Sequence, residues 1–408
     1  MAKKVVITGM GCVSGLGVNL RSTWDNLVAG RGAIRAMTKE AEGGPGYPLE
    51  IMGAGAPPGA FAELGKHFHE KQISAVDLFS NFAAAPTLEA LKDAGLFGDK
   101  KVLDKTAVIY GSASGGNASI EIAYRRVFDH KLPNIHPMSI PRYMNSASVS
   151  HLSMLFGIRG HCLALSSACA SSAHAIAEAS YFIRAGRGPV VVTGGSDASL
   201  TYASLLGWKA LQAMAPDNCR PFSIDRKGMV IGEGGATLVL EDEDHAKARG
   251  AKIYAEVAGA GSTADARHIT QPDPENAAAA IKEAHAEAGL GFDDPILYSA
   301  HGTGTKLNDK AETVALKHAY PKSLDKHRVI ATKSAHGHML GGTGAMEFLL
   351  AILAMREGIA PPILNYLGPD PECDLPLALK AERFQCDTVV SSSFAFGGLN
   401  SVLIGRRV

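Results

Sequence analysis

One cysteine of this sequence stands where a nucleophile would stand. Cys169 follows a short apolar run at residues 163–165, and alanine-rich sequence with helical spacing begins directly after it, at residues 171–185. Unpaired N–H groups and the dipole at a helix N-terminus favour a thiolate over a thiol. The position therefore predicts a nucleophilic cysteine, and the alternative is an unreactive thiol buried among small residues.

Three side chains with acid–base chemistry lie in two later turns. His301 lies in a Gly/Thr turn directly after an apolar run at residues 296–299. Lys333 and His338 share one turn after a second apolar run at residues 329–332. A thiol, two imidazoles and an amine on loops after strands form a set suited to nucleophilic and acid–base catalysis.

The elements that must position these residues are short β-branched runs separated by alanine-rich stretches. Such alternation predicts an α/β fold whose buried strands are parallel. Strands are predicted at residues 5–8, 107–110, 190–193, 236–240, 296–299, 329–332, 389–393 and 402–404, and helices at 74–94, 171–185, 276–288 and 344–355.

Two segments repeat one arrangement of strand, small residues, reactive side chain and small-residue helix. One contains Cys169, and the other contains Lys333 and His338. We therefore expect two similar halves that face each other, although no sequence repeat is exact. A cluster of charged residues at 241–252 divides them, which predicts domains at residues 1–250 and 251–408.

Composition excludes several other classes. The 408 residues carry 40 basic and 40 acidic side chains, so net charge gives no reason to expect nucleic acid or a membrane surface as partner. No signal-peptide pattern and no apolar run of spanning length is present, which predicts a cytoplasmic protein without membrane insertion. Six scattered cysteines without CxxC pairs predict reduced thiols rather than disulfides or a structural zinc site.

Four motifs follow one another along the chain: Ser167-Ala-Cys-Ala-Ser-Ser-Ala-His174, Ala300-His-Gly-Thr-Gly-Thr305, Thr332-Lys-Ser-Ala-His-Gly-His-Met-Leu-Gly-Gly-Thr-Gly-Ala345 and Ser393-Phe-Ala-Phe-Gly-Gly-Leu-Asn400. In this order they resemble the motifs of the elongating β-ketoacyl-acyl-carrier-protein synthases (types I and II) of bacterial fatty-acid synthesis, in the thiolase superfamily. The resemblance covers nearly the whole chain. It implies a thiolase-like, five-layered α-β-α-β-α fold from two pseudo-symmetric halves and a homodimer.

The resemblance also implies an activity, partners and catalytic roles. Cys169 would take an acyl chain from acyl carrier protein, and decarboxylation of a malonyl carrier would supply the two-carbon extender. The N–H groups of Cys169 and Phe396 would form the oxyanion hole. His301 and His338 would assist decarboxylation as neutral imidazoles. No metal or cofactor is implied, since the phosphopantetheine arm belongs to the carrier.

Supporting roles follow from the same resemblance. Lys333 and Glu312 would be a charged pair that positions His301, and Thr303 and Thr305 would hold the pantetheine arm. For Glu312 the alternative is an exposed helix residue, and the two threonines could simply cap a turn. The loop residues Phe394, Gly397 and Gly398 are expected to contact substrate.

The sequence departs from the family pattern at positions that bear on substrate choice. Ser114 stands where a bulky aliphatic residue usually lines the acyl pocket, which predicts a deeper pocket for long or atypical chains. Ala395 replaces a glycine of the mobile loop, and Lys227 replaces an expected acid. Candidate docking residues for the acidic carrier are Arg125, Arg126, Lys71 and Lys209, of which the arginine pair is preferred, although each could be a solvated surface charge.

Other classes fit less well. Gly9-Met-Gly11 follows a strand, but Ser14 replaces the third glycine of a dinucleotide fingerprint. A non-catalytic chain-length-factor-like subunit of the same fold would lack Cys169. Thiolase chemistry needs a second cysteine near the C-terminus, but the loop at residues 394–400 contains none, and Cys386 lies before the strand. The histidine pairs 67/69 and 336/338 have metal-like spacing without an adjacent third ligand.

Overall fold

The computed structural model describes residues 3–37, 51–132 and 134–408. Every strand predicted from the sequence is present, including the short apolar run before Cys169, whereas the long central strand β9 below was not predicted. The strands are β1 (Val5–Ser14), β2 (Arg35–Ala36), β3 (Met52–Ala54), β4 (Ala107–Gly111), β5 (Cys162–Leu165), β6 (Val190–Asp197), β7 (Ile231–Gly232), β8 (Gly234–Asp242), β9 (Ala255–Ala264), β10 (Ile296–Ser299), β11 (Arg328–Ile330), β12 (Ile359–Ala360), β13 (Glu382–Arg383), β14 (Thr388–Ala395) and β15 (Leu399–Arg406).

The four predicted helices are also present, and the first of them begins at Leu78 rather than at Ser74. The helices are α1 (Leu20–Val28), α2 (Ala62–Gly65), α3 (Glu70–Ser74), α4 (Leu78–Asp93), α5 (Lys100–Leu103), α6 (Asn117–Phe128), α7 (Ser139–Tyr143), α8 (Ala147–Phe156), α9 (Ser171–Arg184), α10 (Tyr202–Ala210), α11 (Glu243–Ala248), α12 (Pro274–Ala288), α13 (Lys306–Ala319), α14 (Lys333–His336) and α15 (Thr343–Glu357). No helix in the described part of the chain has the length and apolarity needed to cross a bilayer.

Ten strands form one sheet in the order β11-β10-β14-β15-β9-β1-β8-β6-β4-β5. They fall into two sets of five, which meet where β1 pairs with β9. When the five strands of each set are numbered in chain order, both sets have the spatial order 3-2-4-5-1. Corresponding strands of the two sets also have the same relative directions. The two similar halves are therefore real, while the division at residue 250 stays a prediction.

The expectation of parallel strands is wrong for part of the sheet. Pairs β4–β5, β4–β6, β10–β11 and β10–β14 are parallel, but β6–β8, β1–β8, β14–β15 and β9–β15 are antiparallel. The physical reason is clearest for β14 and β15, because the three residues between them allow only a hairpin. Alternating strands and helices along the sequence do not reveal such hairpins.

Helices cover both sets of strands and also lie between them. Alternate strand residues face opposite layers: Val191 packs with α9 and α15 in the central layer, and Val192 packs with α4 and α8 on the outside. In the second set, Val389 faces the central layer and Val390 faces α12 and α13. Five layers in the order α-β-α-β-α result, as expected.

This architecture brings strand ends together at one place. Because β10, β11 and β14 are parallel neighbours, the residues that follow them lie at one edge of the sheet. His301 follows β10, Lys333 follows β11 and Phe396 follows β14. Cys169 follows β5 in the other set and reaches the same place through the central helices, where the Ser172 hydroxyl accepts a hydrogen bond from Ala345 N at 2.9 Å.

Candidate active site

Cys169 lies in a tight turn between β5 and α9 and is only 7% exposed. Ala168 has φ +50°, in the left-handed region that costs a residue with a Cβ roughly 1–2 kcal/mol. The Ser171 hydroxyl holds this conformation, since it donates to Ala168 O at 2.6 Å and accepts from Ser167 N at 2.9 Å. The turn fixes the thiol at the start of the central helix.

The protonation state of Cys169 differs from the expectation of a favoured thiolate. Burial raises the pKa of the thiol to about 11, although the nearby Lys333 ammonium and the backbone N–H groups of Phe396 and Cys169 act to lower it. Removal of water from around the sulfur outweighs those favourable partners. The resting nucleophile is therefore a thiol, which must lose its proton when it is acylated.

Two buried histidines lie beside the thiol. The sulfur of Cys169 and a ring nitrogen each of His301 and His338 lie within 4.8 Å of one another. The imidazoles, 2% and 1% exposed, are nearly perpendicular with their centroids 5.5 Å apart. The Nε2 atom of His338 has no hydrogen-bond partner among the described residues, whereas its Nδ1 lies 3.0 Å from the hydroxyl of Thr343. That free nitrogen is available to a substrate.

Lys333 determines which nitrogen of His301 carries the proton. Its Nζ lies 3.2 Å from Nδ1 of His301 and also donates to the His301 carbonyl oxygen. An ammonium can only donate, so Nδ1 accepts and the proton lies on Nε2. Burial and the Lys333 charge hold the pKa of both His301 and His338 well below the ordinary value. Both imidazoles are therefore neutral at cellular pH, as expected.

The expected pairing of Lys333 with Glu312 is wrong. Lys333 is bound by both carboxylate oxygens of Glu347, at 2.7 and 2.9 Å, and the two side chains are fully buried. Burial raises the pKa of Glu347 to about 7, and the Lys333 charge opposes this rise. Sequence reasoning missed Glu347, although a lone acid in the otherwise apolar run at residues 345–355 was a usable signal.

Glu312 supports His301 through the backbone instead. Its carboxylate accepts from His301 N at 2.7 Å, from Gly302 N at 2.8 Å and from the Ser392 hydroxyl at 2.9 Å. The residue is buried on α13, so the alternative of an exposed helix residue is excluded. Glu312 therefore fixes the backbone turn that presents the imidazole, and it does not pair with the Lys333 charge.

A cavity of about 490 Å³ leads to the thiol and the histidines. Thr303 and Thr305 lie in its wall, and their hydroxyls are 2.9 Å apart. Thr305 also caps α13, since its hydroxyl accepts from Asn308 N at 3.3 Å. The remaining lining residues are Trp208, Leu211, Gln212, Ala213, Lys227, Gly228, Met229, residues 268–272, residues 306–308, residues 394–396 and Gly398.

The loop between β14 and β15 closes one side of this cavity. The ring of Phe396 stacks on Trp208 with centroids 5.9 Å apart, and Trp208 was not predicted as a site residue. Gly397 and Gly398 have φ values of +82° and +71°, which favour glycine. A Cβ on Gly398 would lie 2.5 Å from the Asp265 side chain, so this glycine is also required by close packing.

Ser114 does not line the cavity. Its hydroxyl donates to Asp197 Oδ1 at 2.9 Å and lies 2.7 Å from the hydroxyl of Ser199. Asp197 is fully buried and also accepts from Ser112 and from Gly341 N. The small residue at position 114 is thus part of a polar network around a buried carboxylate, and the expected deeper acyl pocket stays a prediction.

The four basic residues expected at the carrier-docking surface lie outside the cavity. Lys71, Arg126 and Lys209 are exposed. Arg125 is partly buried, since it binds Glu121 at 3.0 Å and lies over the ring of Tyr202. The preferred arginine pair therefore offers one free charge rather than two.

Together these groups have the chemistry of a site that accepts an acyl group on a thiol. A thiol beside two neutral imidazoles, with the Phe396 and Cys169 N–H groups directed at the sulfur, can form a thioester and stabilise an oxyanion. Thiol and imidazole are also zinc ligands, so the expectation of no metal stays a prediction. The expectation of no cofactor also stays a prediction.

Comparison with protein families gives two matches in sequence. Residues 2–246 match the family described as Beta-ketoacyl synthase, N-terminal domain, and residues 254–367 match Beta-ketoacyl synthase, C-terminal domain. Nodulation protein E of Rhizobium sp. (strain N33) is 40% identical over the full length of both chains. The 3-oxoacyl-(acyl-carrier-protein) synthase 2 of Staphylococcus aureus (strain COL) is 34% identical, over 99% of this chain and 98% of that protein.

Solved structures agree with these matches. A Beta-ketoacyl synthase from Burkholderia phymatum STM815 superposes with a TM-score of 0.90 at 33% identity, and both chains are fully covered. A type II polyketide synthase acyl-carrier protein in complex with its ketosynthase, bound to the hexaketide, superposes with a TM-score of 0.87 at 27% identity, and both chains are again fully covered. The chain therefore belongs to the β-ketoacyl synthase family and is an acyl-transferring condensing enzyme with a thiolase-like fold.

Proposed function

We propose that this chain is a 3-oxoacyl-(acyl-carrier-protein) synthase of fatty-acid or specialised long-chain lipid biosynthesis. It would extend a carrier-bound acyl chain by two carbons. The observation that carries this proposal is the approach of Cys169, His301 and His338 to within 4.8 Å at the buried end of the cavity. The name of the Staphylococcus aureus relative supports the reaction, and Nodulation protein E leaves a specialised pathway open.

In the first half-reaction, the sulfur of Cys169 attacks the carrier thioester. The thiol proton passes to the departing carrier sulfur, and the N–H groups of Phe396 and Cys169 bind the oxyanion that forms. The neutral imidazoles beside the sulfur can accept and return that proton. The product is an acyl thioester on Cys169 and a free carrier thiol.

In the second half-reaction, a malonyl carrier loses carbon dioxide, and the electrons of the broken C–C bond form an enolate. Nε2–H groups of His301 and His338 would hold the enolate oxygen, and the His338 Nε2 has no other hydrogen-bond partner among the described residues. The enolate carbon attacks the acyl thioester and expels the Cys169 sulfur as a thiolate, which takes up a proton from solvent. The product is a 3-oxoacyl carrier that is two carbons longer.

Acyl carrier protein and a second copy of the chain are the proposed partners. The complex of a ketosynthase with an acyl-carrier protein supports the first. For the second, β5 ends the sheet with Leu163 41% exposed, and Met154 on α8, which packs against β5, is exposed as well. An unpaired edge strand beside an apolar surface favours pairing with the same strand of another copy.

The homodimer is tested by light scattering. The wild type should have twice the chain mass of 42.6 kDa, and Leu163→Lys should shift it towards the monomer. Leu379→Lys changes a leucine of similar exposure in the C-terminal half and serves as control. A monomeric wild type at micromolar concentration would contradict the homodimer.

A cytoplasmic location is also proposed, because all six cysteines are free, as in a reducing compartment.

Intact-mass spectrometry after incubation with a series of acyl-carrier thioesters tests the reaction itself. The wild type should gain the acyl mass, Cys169→Ala should gain none, and Cys162→Ser, which removes an exposed thiol, should behave as wild type. The longest chain loaded measures the acyl pocket. Folded wild type that takes no acyl group from any thioester would favour the non-catalytic subunit instead.

A further inference from the structure

The open end of the cavity carries two lysines on separate segments. Lys227 precedes β7, and Lys306 is the first residue of α13. Both are exposed, and within the described residues neither ammonium has an ion-pair partner within 4 Å. Asp217, which feels the charge of Lys227, is already bound to Arg220 by two hydrogen bonds at 2.7 and 2.8 Å.

No carboxylate opposes these charges in the described wall of the cavity. The lining contains lysine, histidine, amide, hydroxyl and apolar side chains, but neither aspartate nor glutamate. Two cations without a counter-charge at the entrance of a cavity attract an anionic ligand. The cavity therefore combines a nucleophile at its buried end with a cationic entrance.

The residues of the cavity wall become more exposed from the buried end to the entrance. Along one segment the exposed fraction rises from 2% at His301 to 6% at Thr303, Thr305 is half-buried and Lys306 is exposed. A pantetheine arm has a thioester at one end and a phosphate at the other. When the thioester lies at Cys169, the phosphate must lie towards the exposed end, where the lysines are.

We propose that Lys227 and Lys306 bind the phosphate of the carrier's phosphopantetheine arm and so make this enzyme select phosphorylated thiol donors. The inference rests on the proposed function and assigns the positioning of the arm to two residues that do not touch the reacting atoms. Lysine binds phosphate as a point charge, which suits a flexible arm at an open entrance.

Two small donors that differ only in the phosphate test this selection. Acyl-phosphopantetheine and acyl-pantetheine are offered to the wild type and to Lys227→Gln/Lys306→Gln, and acylation of Cys169 is followed by mass. The wild type should favour the phosphorylated donor by roughly 3- to 10-fold in kcat/KM, and the preference should shrink in high salt. The double variant should use both donors equally and keep the wild-type rate with acyl-pantetheine.

Lys310→Gln is the matched control, because it removes a charge from the same helix outside the cavity, where Lys310 is bound to Glu372. It should keep the wild-type preference. With acyl carrier protein as donor, the double variant should raise KM and leave kcat unchanged. A wild type that does not distinguish the two small donors, or a double variant that still does, would overturn the inference. Failure of every donor to acylate the wild type would instead refute the proposed function.

Discussion

The two halves of the molecule build the same turn and use it differently. In both, the residue three positions before the central helix is a non-glycine with positive φ: Ala168 at +50° before α9 and Leu340 at +46° before α15. The next residue is Cys169 in the first half and Gly341 in the second. Equivalent positions therefore hold the nucleophile in one half and a residue without a side chain in the other.

Packing explains why the second half has no nucleophile there. A Cβ on Gly341 would lie 2.4 Å from Ala113 N and 2.7 Å from the Asp197 carboxylate, while Gly341 N donates to that carboxylate at 2.7 Å. The space that the cysteine occupies in one half is filled by backbone and a buried acid in the other. A symmetric pair of cysteines is sterically impossible in this arrangement.

The fifth residue of each central helix also differs between the halves, and here the second half has the functional side chain. It is Ala175 in α9 and Glu347 in α15, and only the second is charged. Glu347 balances Lys333, which in turn orients His301. One half thus supplies a small apolar frame for the thiol, and the other supplies the buried charges that control the imidazoles.

Removal of the buried charge from the second half should have the largest effect. Lys333→Met leaves Glu347 buried without a partner, which should cost about 3–5 kcal/mol of unfolding free energy. Condensation should be lost as well, because Nδ1 of His301 loses its donor. Denaturant unfolding and a condensation assay measure the two effects. Lys333→Met/Glu347→Gln should recover most of the stability but not the activity, and recovery of activity would contradict the role of Lys333.

Gly341→Ala tests the steric difference between the two turns. The added Cβ meets backbone atoms, so the variant should lose about 1–3 kcal/mol of unfolding free energy. Gly207→Ala is the control, because nothing lies within 4 Å of its added Cβ inside α10 and alanine favours a helix. That control should be neutral or slightly stabilised. Equal thermal midpoints for Gly341→Ala and wild type would show that the turn can relax.

The strained residue before the nucleophile should respond to the size of its side chain. Ala168→Val should cost about 1–2 kcal/mol, since a branched side chain is disfavoured at positive φ. Ala168→Gly should change the free energy of unfolding by less than about 1 kcal/mol, because relief of strain offsets the added freedom of the unfolded chain. Urea midpoints compare the variants. Equal stability of the valine and glycine variants would contradict strain in this turn.

The pH dependence of alkylation is the mildest test, because it changes no residue. A thiol pKa of about 11 predicts that iodoacetamide modification of Cys169 rises about tenfold per pH unit from pH 8 to 10 without a plateau. An ordinary cysteine peptide should level off above pH 9. Peptide mass spectrometry follows the site. A plateau below pH 8 would instead support the thiolate that the helix N-terminus predicts.

The sequence predicted the strands that carry the site because their apolar runs are short, buried and bounded by small residues. Ala255–Ala264 was not predicted as a strand, since its alanine, glycine and serine residues form no β-branched apolar run. The antiparallel directions were missed for another reason. Strand direction depends on how connections cross the sheet, and local periodicity contains no information about it.

The sequence by itself determined the family, the two-half organisation and the identity of Cys169, His301, Lys333 and His338, because motifs fix residue types in chain order. Only the tertiary structure decided that Lys333 pairs with Glu347 and that the Cys169 thiol is protonated. Both depend on distance and exclusion of water between segments far apart in the chain. Electrostatic pairing and pKa are properties of that shared environment, and no local pattern of residues encodes it.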